Sequence, residues 1–220
     1  MQYKEELQNI ITRLRRFENR EILAASLTGL QKTVVISFTL LMFFLLAEAI
    51  FRFGSTVRIF MFFTWVITSL GAFSYYVMMH ASKFFFPFDE NRYISAAYRS
   101  GVYFPEVKDS LTNSVQIALD ADSHWSASLA AAEFKRVYHA TKHIDFRSAV
   151  SFEGVKKLLY ISLPVVVFSL LLISSTEMFG SAFHRFVNYN KEFIPPAPFS
   201  FEVKPGNAKL TGGDRLTVTI

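Results

Sequence analysis

Two histidines four residues apart, His139 and His143, are the first side chains in this sequence that could do chemistry. At that spacing two imidazoles share one helix face and can hold a divalent metal, with Glu133 or Asp145 as a third ligand. The glutamate that a zinc-protease helix carries after its first histidine is replaced by Ala140, and a polar helix face explains the pair without any metal. His80 and His184 flank apolar runs at opposite ends. An imidazole there can ligate a haem or pigment axially, or simply sit at an interface. Glu48 stands one helical turn before Arg52, which predicts an interfacial ion pair rather than an ionisable group deep in an apolar layer. No phosphate-cradling loop, dinucleotide fingerprint, nucleophile elbow or acidic metal loop occurs. The absence of Cys excludes thiolate nucleophiles, thiolate metal sites and disulfides. The reading is a protein that is not an enzyme, with no catalytic residue, metal or cofactor to assign.

The elements that position these residues are dominated by apolar blocks. Hydrophobic residues make up 51% of the 220, and 25 are Phe. The excess sits in three runs, Thr33 to Phe51, Ile59 to Met79 and Leu158 to Thr176. Each is about as long as the ~20 residues a membrane-spanning helix needs. The first two, joined by a short polar turn, predict a transmembrane hairpin over 33–80, and the third a span over 157–187. Pro164 falls early in the third run, where it can kink the helix. The formal net charge of +5 suits anionic lipid or nucleic acid, but the basic segments lack the aromatic–basic interleaving of a nucleic-acid binder. Most Lys and Arg lie in 1–32 and 81–156, and only Arg52 and Arg58 in the hairpin turn. The positive-inside rule then puts the N-terminus and 81–156 in the cytoplasm and the C-terminus outside.

Within 1–32, Leu7, Ile10, Ile11, Leu14 and Phe17 recur at spacings of three and four. This predicts an amphipathic helix that lies on lipid or packs on the protein's own cytoplasmic part. Residues 81–156 predict a helical insert. Asp89 caps its first helix and Gly101 ends it. Pro105 opens a second helix, with Leu111 and Val115 on one face, and Ser123 caps a third. After 188 the pattern changes. Pro195, Pro196 and Pro198 make a stiff spacer, and two alternating stretches, Phe199 to Val203 and Leu216 to Ile220, read as strands. A β-sandwich needs about seven strands. The expectation is therefore the start of an extracytoplasmic β-sandwich in a longer chain, or strands that complete another subunit's sheet. The fold class expected is mainly α and integral to a membrane: three spans, a cytoplasmic helical insert, then that β-sandwich over 188–220.

Phe104-Pro105-Glu106-Val107-Lys108-Asp109 with its following leucine-rich helix, and Asp145-Phe146-Arg147-Ser148-Ala149-Val150 before the third run, carry a resemblance. The chain is similar to large, mostly uncharacterised bacterial inner-membrane proteins, a family known only as a domain of unknown function. The tail from Phe201 to Ile220 resembles the opening of bacterial immunoglobulin-like domains. The resemblance implies architecture and no catalytic residues. The function expected is a non-enzymatic membrane anchor and scaffold presenting an extracytoplasmic region to protein or envelope partners. Its partners would be the bilayer, other membrane or envelope proteins and copies of itself, without nucleic acid. The alternatives are an accessory subunit of a bioenergetic, photosynthetic or secretion complex, and a receptor or transporter component. Three spans without an internal repeat argue against transport.

Overall fold

The computed structural model describes residues 2–119, 127–193 and Gly212. Its axis is α1, Gln2–Phe51, a single helix of 50 residues, about 75 Å long at 1.5 Å per residue. The sequence predicts a separate amphipathic helix and span here. No proline lies between Gln2 and Phe51, so the helical hydrogen bonds continue from one into the other. The helix stops at Arg52, which adopts φ 47° and donates its N–H to the Glu48 carbonyl at 3.0 Å. This left-handed cap is usually filled by glycine.

Helix α2 begins at Ser55, passes through a π-helical segment over Ser74–Met78, and stays helical to Phe84. It packs antiparallel to α1. Ser37 and Ser69 share a hydrogen bond of 2.8 Å, and Trp65 Nε1 donates to the Ser37 carbonyl at 3.0 Å. The two backbones come closest at Gly29, where a Cβ would lie 2.0 Å from the Tyr76 carbonyl oxygen. Only glycine fits there.

Three helices form the bundle beside this hairpin: α3 Glu90–Tyr103, α4 Lys108–Leu119 and α5 Ala127–Thr141. Asp89 caps α3 by accepting from the Arg92 N–H, as the sequence predicts. Gly101 does not end α3. The helix runs two residues further, and Gly101 instead lets Lys108 approach, since a Cβ would lie 2.7 Å from the Lys108 Cα. The start of α1 belongs to the bundle. Ile10, Leu14 and Phe17 share a core with Leu111, Val115, Phe134, Val137 and Phe146. The amphipathic face of 1–32 is thus covered by the protein itself.

Helix α6, Glu153–Ser175, contains Pro164. The sequence extends this span to 187, but the helix ends at Thr176, whose extended backbone and side-chain bond to the Phe179 N–H start a new helix, α7, Glu177–Val187. Helix α7 is amphipathic and turns Ala182 and Phe186 onto Leu41, Leu45 and Met61. Helices α1, α2 and α6 are long and apolar enough to cross a membrane. Much of their surface is exposed Phe, Leu and Ile, including Phe43, Phe60, Phe168 and Leu170. These are the marks of a multi-pass membrane protein.

The expected β-sandwich is overturned: the described residues hold helices and no strand. The two alternating stretches in the tail, like the cap expected at Ser123, lie outside the described residues. The apolar content that drives folding here is spent on spans and bundle.

Candidate functional site

Each end of the hairpin is fastened to the chain that leaves it by a carboxylate on α1 and arginines from elsewhere. At the bundle end the carboxylate is Glu18, 5% exposed. Arg92, on α3, binds it through Nη2 at 3.0 Å and Nε at 3.1 Å. The same guanidinium donates to the carbonyls of Lys83, Phe86 and Pro87, each at 3.1 Å. It also lies 4.5 Å from the centre of the Phe88 ring. One side chain therefore satisfies the exposed turn between α2 and α3. Arg99 extends the set by pairing with Glu21 at 3.0 Å.

At the other end the carboxylate is Glu48, fully buried. Its Oε1 accepts from Arg185 Nε on α7 at 2.8 Å, and its Oε2 accepts from the Phe53 N–H at 3.2 Å. Arg52 is not its partner. The left-handed cap at Arg52 turns the chain, and the Arg52 side chain is exposed. The pair expected from the i,i+4 spacing is replaced by one reaching 137 positions along the chain. Beside it sits Arg58, only 1% exposed. It donates to the carbonyls of Arg185 at 3.3 Å and Lys191 at 2.9 Å, and lies 4.9 Å from the Phe193 ring centre. Those carbonyls sit at and beyond the C-terminal end of α7, where the helix dipole is negative, so a cation is favoured. Tyr189 stacks on Phe62 at 4.4 Å and completes the contact.

Glu18 and Glu48 lie 30 residues apart on one unbroken helix, about 45 Å, so α1 links the two clusters rigidly.

The histidines do not assemble into a metal centre. α5 ends at Thr141, so His143 lies in the following turn rather than one helical turn above His139, and both are exposed. Glu133 is paired with Arg136 at 2.7 Å, and Asp145 with Arg147 at 3.0 Å. Those arginines hold both carboxyls below their ordinary pKa. Among the described residues no three His, Cys, Asp or Glu side chains converge to hold a metal. His184 sits edge-on to Phe193 at 5.7 Å. His80 lines a cavity beside Gly29 and Tyr76.

The arginine partners are invisible to sequence periodicity. Glu48 stands out as the one charge in its apolar run, but nothing near it marks Arg185 or Arg58 as the residues that meet it. In both clusters the buried carboxylate accepts from a guanidinium, and Arg92 and Arg58 donate to backbone carbonyls, while Glu18 Oε2 keeps only a 3.9 Å ion-pair contact to Arg99 and Arg58 Nε has no hydrogen-bond partner. What they do is hold chain segments in place. Comparison with protein families, with curated proteins and with solved structures finds no match, and nothing in it identifies the unknown-function family or the immunoglobulin-like region.

Proposed function

We propose that the protein is a non-enzymatic membrane anchor and scaffold. In this reading the bundle and N-terminus lie on the cytoplasmic side of a bacterial inner membrane, and α7 with the chain beyond it lies on the outer side. The supporting observation is the single helix α1, which belongs to the bundle core at Phe17 and to the far cluster at Glu48. A segment held to both ends of one rigid helix keeps a fixed relation across the bilayer. The bias of Lys and Arg toward the bundle side supports the orientation. The test is extraction in mild detergent followed by native mass measurement. A scaffold of this kind extracts alone or with copies of itself. Stoichiometric recovery with other membrane subunits favours a second reading, an accessory subunit of a larger complex. Tyr98, Val102 and Tyr103 favour that reading, since all three stand more than half exposed on α3 of the bundle.

A further inference from the structure

We propose that the seam between α1 and α6 holds one anionic phospholipid, its phosphate seated in a cavity lined by Lys32 and His80. The proposal rests on the reading of α1, α2 and α6 as membrane spans. The cavity, about 270 Å³, lies where all three apolar runs meet the bundle: Lys32 precedes the first, His80 follows the second, and Ser151 and Gly154 precede the third. It is therefore at headgroup level.

Its polar groups suit a phosphate. Lys32 is exposed on one wall, 5.5 Å from the Tyr76 ring centre. His80 also lines the cavity, with its Nδ1 atom buried and without a hydrogen-bond partner in the protein. The first turn of α6 also faces this space. Ser151 Oγ accepts from the Glu153 N–H, whereas the N–H groups of Gly154 and Val155 have no acceptor within the helix. A Cβ on Gly154 would meet nothing within 4 Å, so the approach is open.

What assigns the site to a lipid rather than a free phosphate is the groove beyond it. Thr28 and Lys32 at the cavity lie on the same α1 face as Thr39, Met42 and Leu46, by steps of three, four and seven. Those three line an apolar groove of about 350 Å³ against Phe168 and Leu172 of α6, with Phe179 of α7 at its far end. The groove begins at Thr39, about 10 Å along the helix from Lys32, within the ~15 Å depth of one leaflet's acyl chains. A headgroup in the cavity would bring the end of an acyl chain to the Thr39 end of the groove.

The experiment is native mass spectrometry of the detergent-extracted full chain titrated with phosphatidylglycerol, phosphatidylcholine or inorganic phosphate. One phosphatidylglycerol should be retained in preference to phosphatidylcholine. Lys32→Gln should weaken that retention about fivefold, the effect of one cation near an anionic surface. Ala25→Leu, which fills the cavity and leaves every charge in place, should weaken it as well. Lys157→Gln, a nearby exposed lysine outside the cavity, should not. Equal loss in Lys157→Gln and Lys32→Gln would reduce the effect to general surface charge and overturn the site. Equal retention of phosphatidylcholine would also overturn it. Displacement of the lipid by millimolar phosphate would assign the cavity to a soluble anion instead. Resistance of the protein to carbonate extraction from membranes tests the membrane reading separately.

Discussion

Replacing Glu48 by Gln tests whether the outer cluster is held by Arg185 or by the neighbouring Arg52. Gln keeps the size and one acceptor but removes the charge. Glu48 is fully buried and bonds Arg185 at 2.8 Å, and the Arg185 side chain is 15% exposed. Stripping the counter-charge from a buried pair costs about 3–5 kcal/mol. In a chain of this size each kcal/mol lowers Tm by roughly 2–4 °C, so Glu48→Gln should melt on the order of 10 °C below the parent. Trp65 lies 6.2 Å from Phe186 of α7, centre to centre, so its fluorescence reports the loosening directly. Glu48→Leu combined with Arg185→Leu removes both charges and should recover most of the loss, because apolar replacement of a buried pair is often neutral. Arg52→Gly should be stabilising by about 0.5–1 kcal/mol, since it relieves the left-handed backbone at φ 47°. If Arg52→Gly destabilises as much as Glu48→Gln, while Arg185→Leu is harmless, the local pair is the real one and the clamp is refuted.

Gly29→Ala should cost several degrees in the same melt, because its Cβ would meet the Tyr76 carbonyl at 2.0 Å, whereas Gly71→Ala, with nothing within 4 Å, should be neutral or slightly stabilising. Leu170, 53% exposed on α6, should tolerate apolar exchange, but Leu170→Arg should disfavour insertion by about 3 kcal/mol. Glycosylation-reporter insertion assays would read this, and normal integration would mean that α6 does not face lipid. Arg147 holds Asp145 below its ordinary carboxyl range. Its contribution is therefore present above the unfolded pKa of about 3.9 and is lost as pH falls through the lower folded value. The melting difference between Asp145→Asn and the parent should be constant from pH 6 to 8 and shrink as the pH falls below about 3.9. A difference that instead grows on acidification reverses the sign and refutes the pairing.

Much of the helical architecture was legible because local rules govern it. Run length marked the three spans, Asp89 before Arg92 marked a cap, and Ile10, Leu14 and Phe17 marked a face that now lies in the bundle core. The continuity of α1 was harder, since a change from amphipathic to apolar pattern at Thr33 looks like a boundary although nothing breaks the backbone there. The third apolar run ends at Thr176, as read from the sequence, but the separate amphipathic helix that Thr176 caps was counted into the span to 187, because a single β-branched residue carries little breaking signal. The reading of Glu48 failed at the choice of partner. Spacing rules see four residues along a helix, whereas Arg185 arrives 137 positions away through the return of the third span. Arg58 had no sequence signal of burial, because an arginine in a polar turn ordinarily faces water.

In the proposed topology the bundle and the segment clamped by Arg58 stand on opposite sides of one bilayer. Because the chain has no natural Cys, single cysteines at Thr56, Asn190 and Ser148, all exposed, can be labelled in sealed vesicles of known orientation. Thr56 and Asn190 should react together from one face and Ser148 only from the other. Reaction of all three from the same face, or of Thr56 and Asn190 from different faces, would contradict the account.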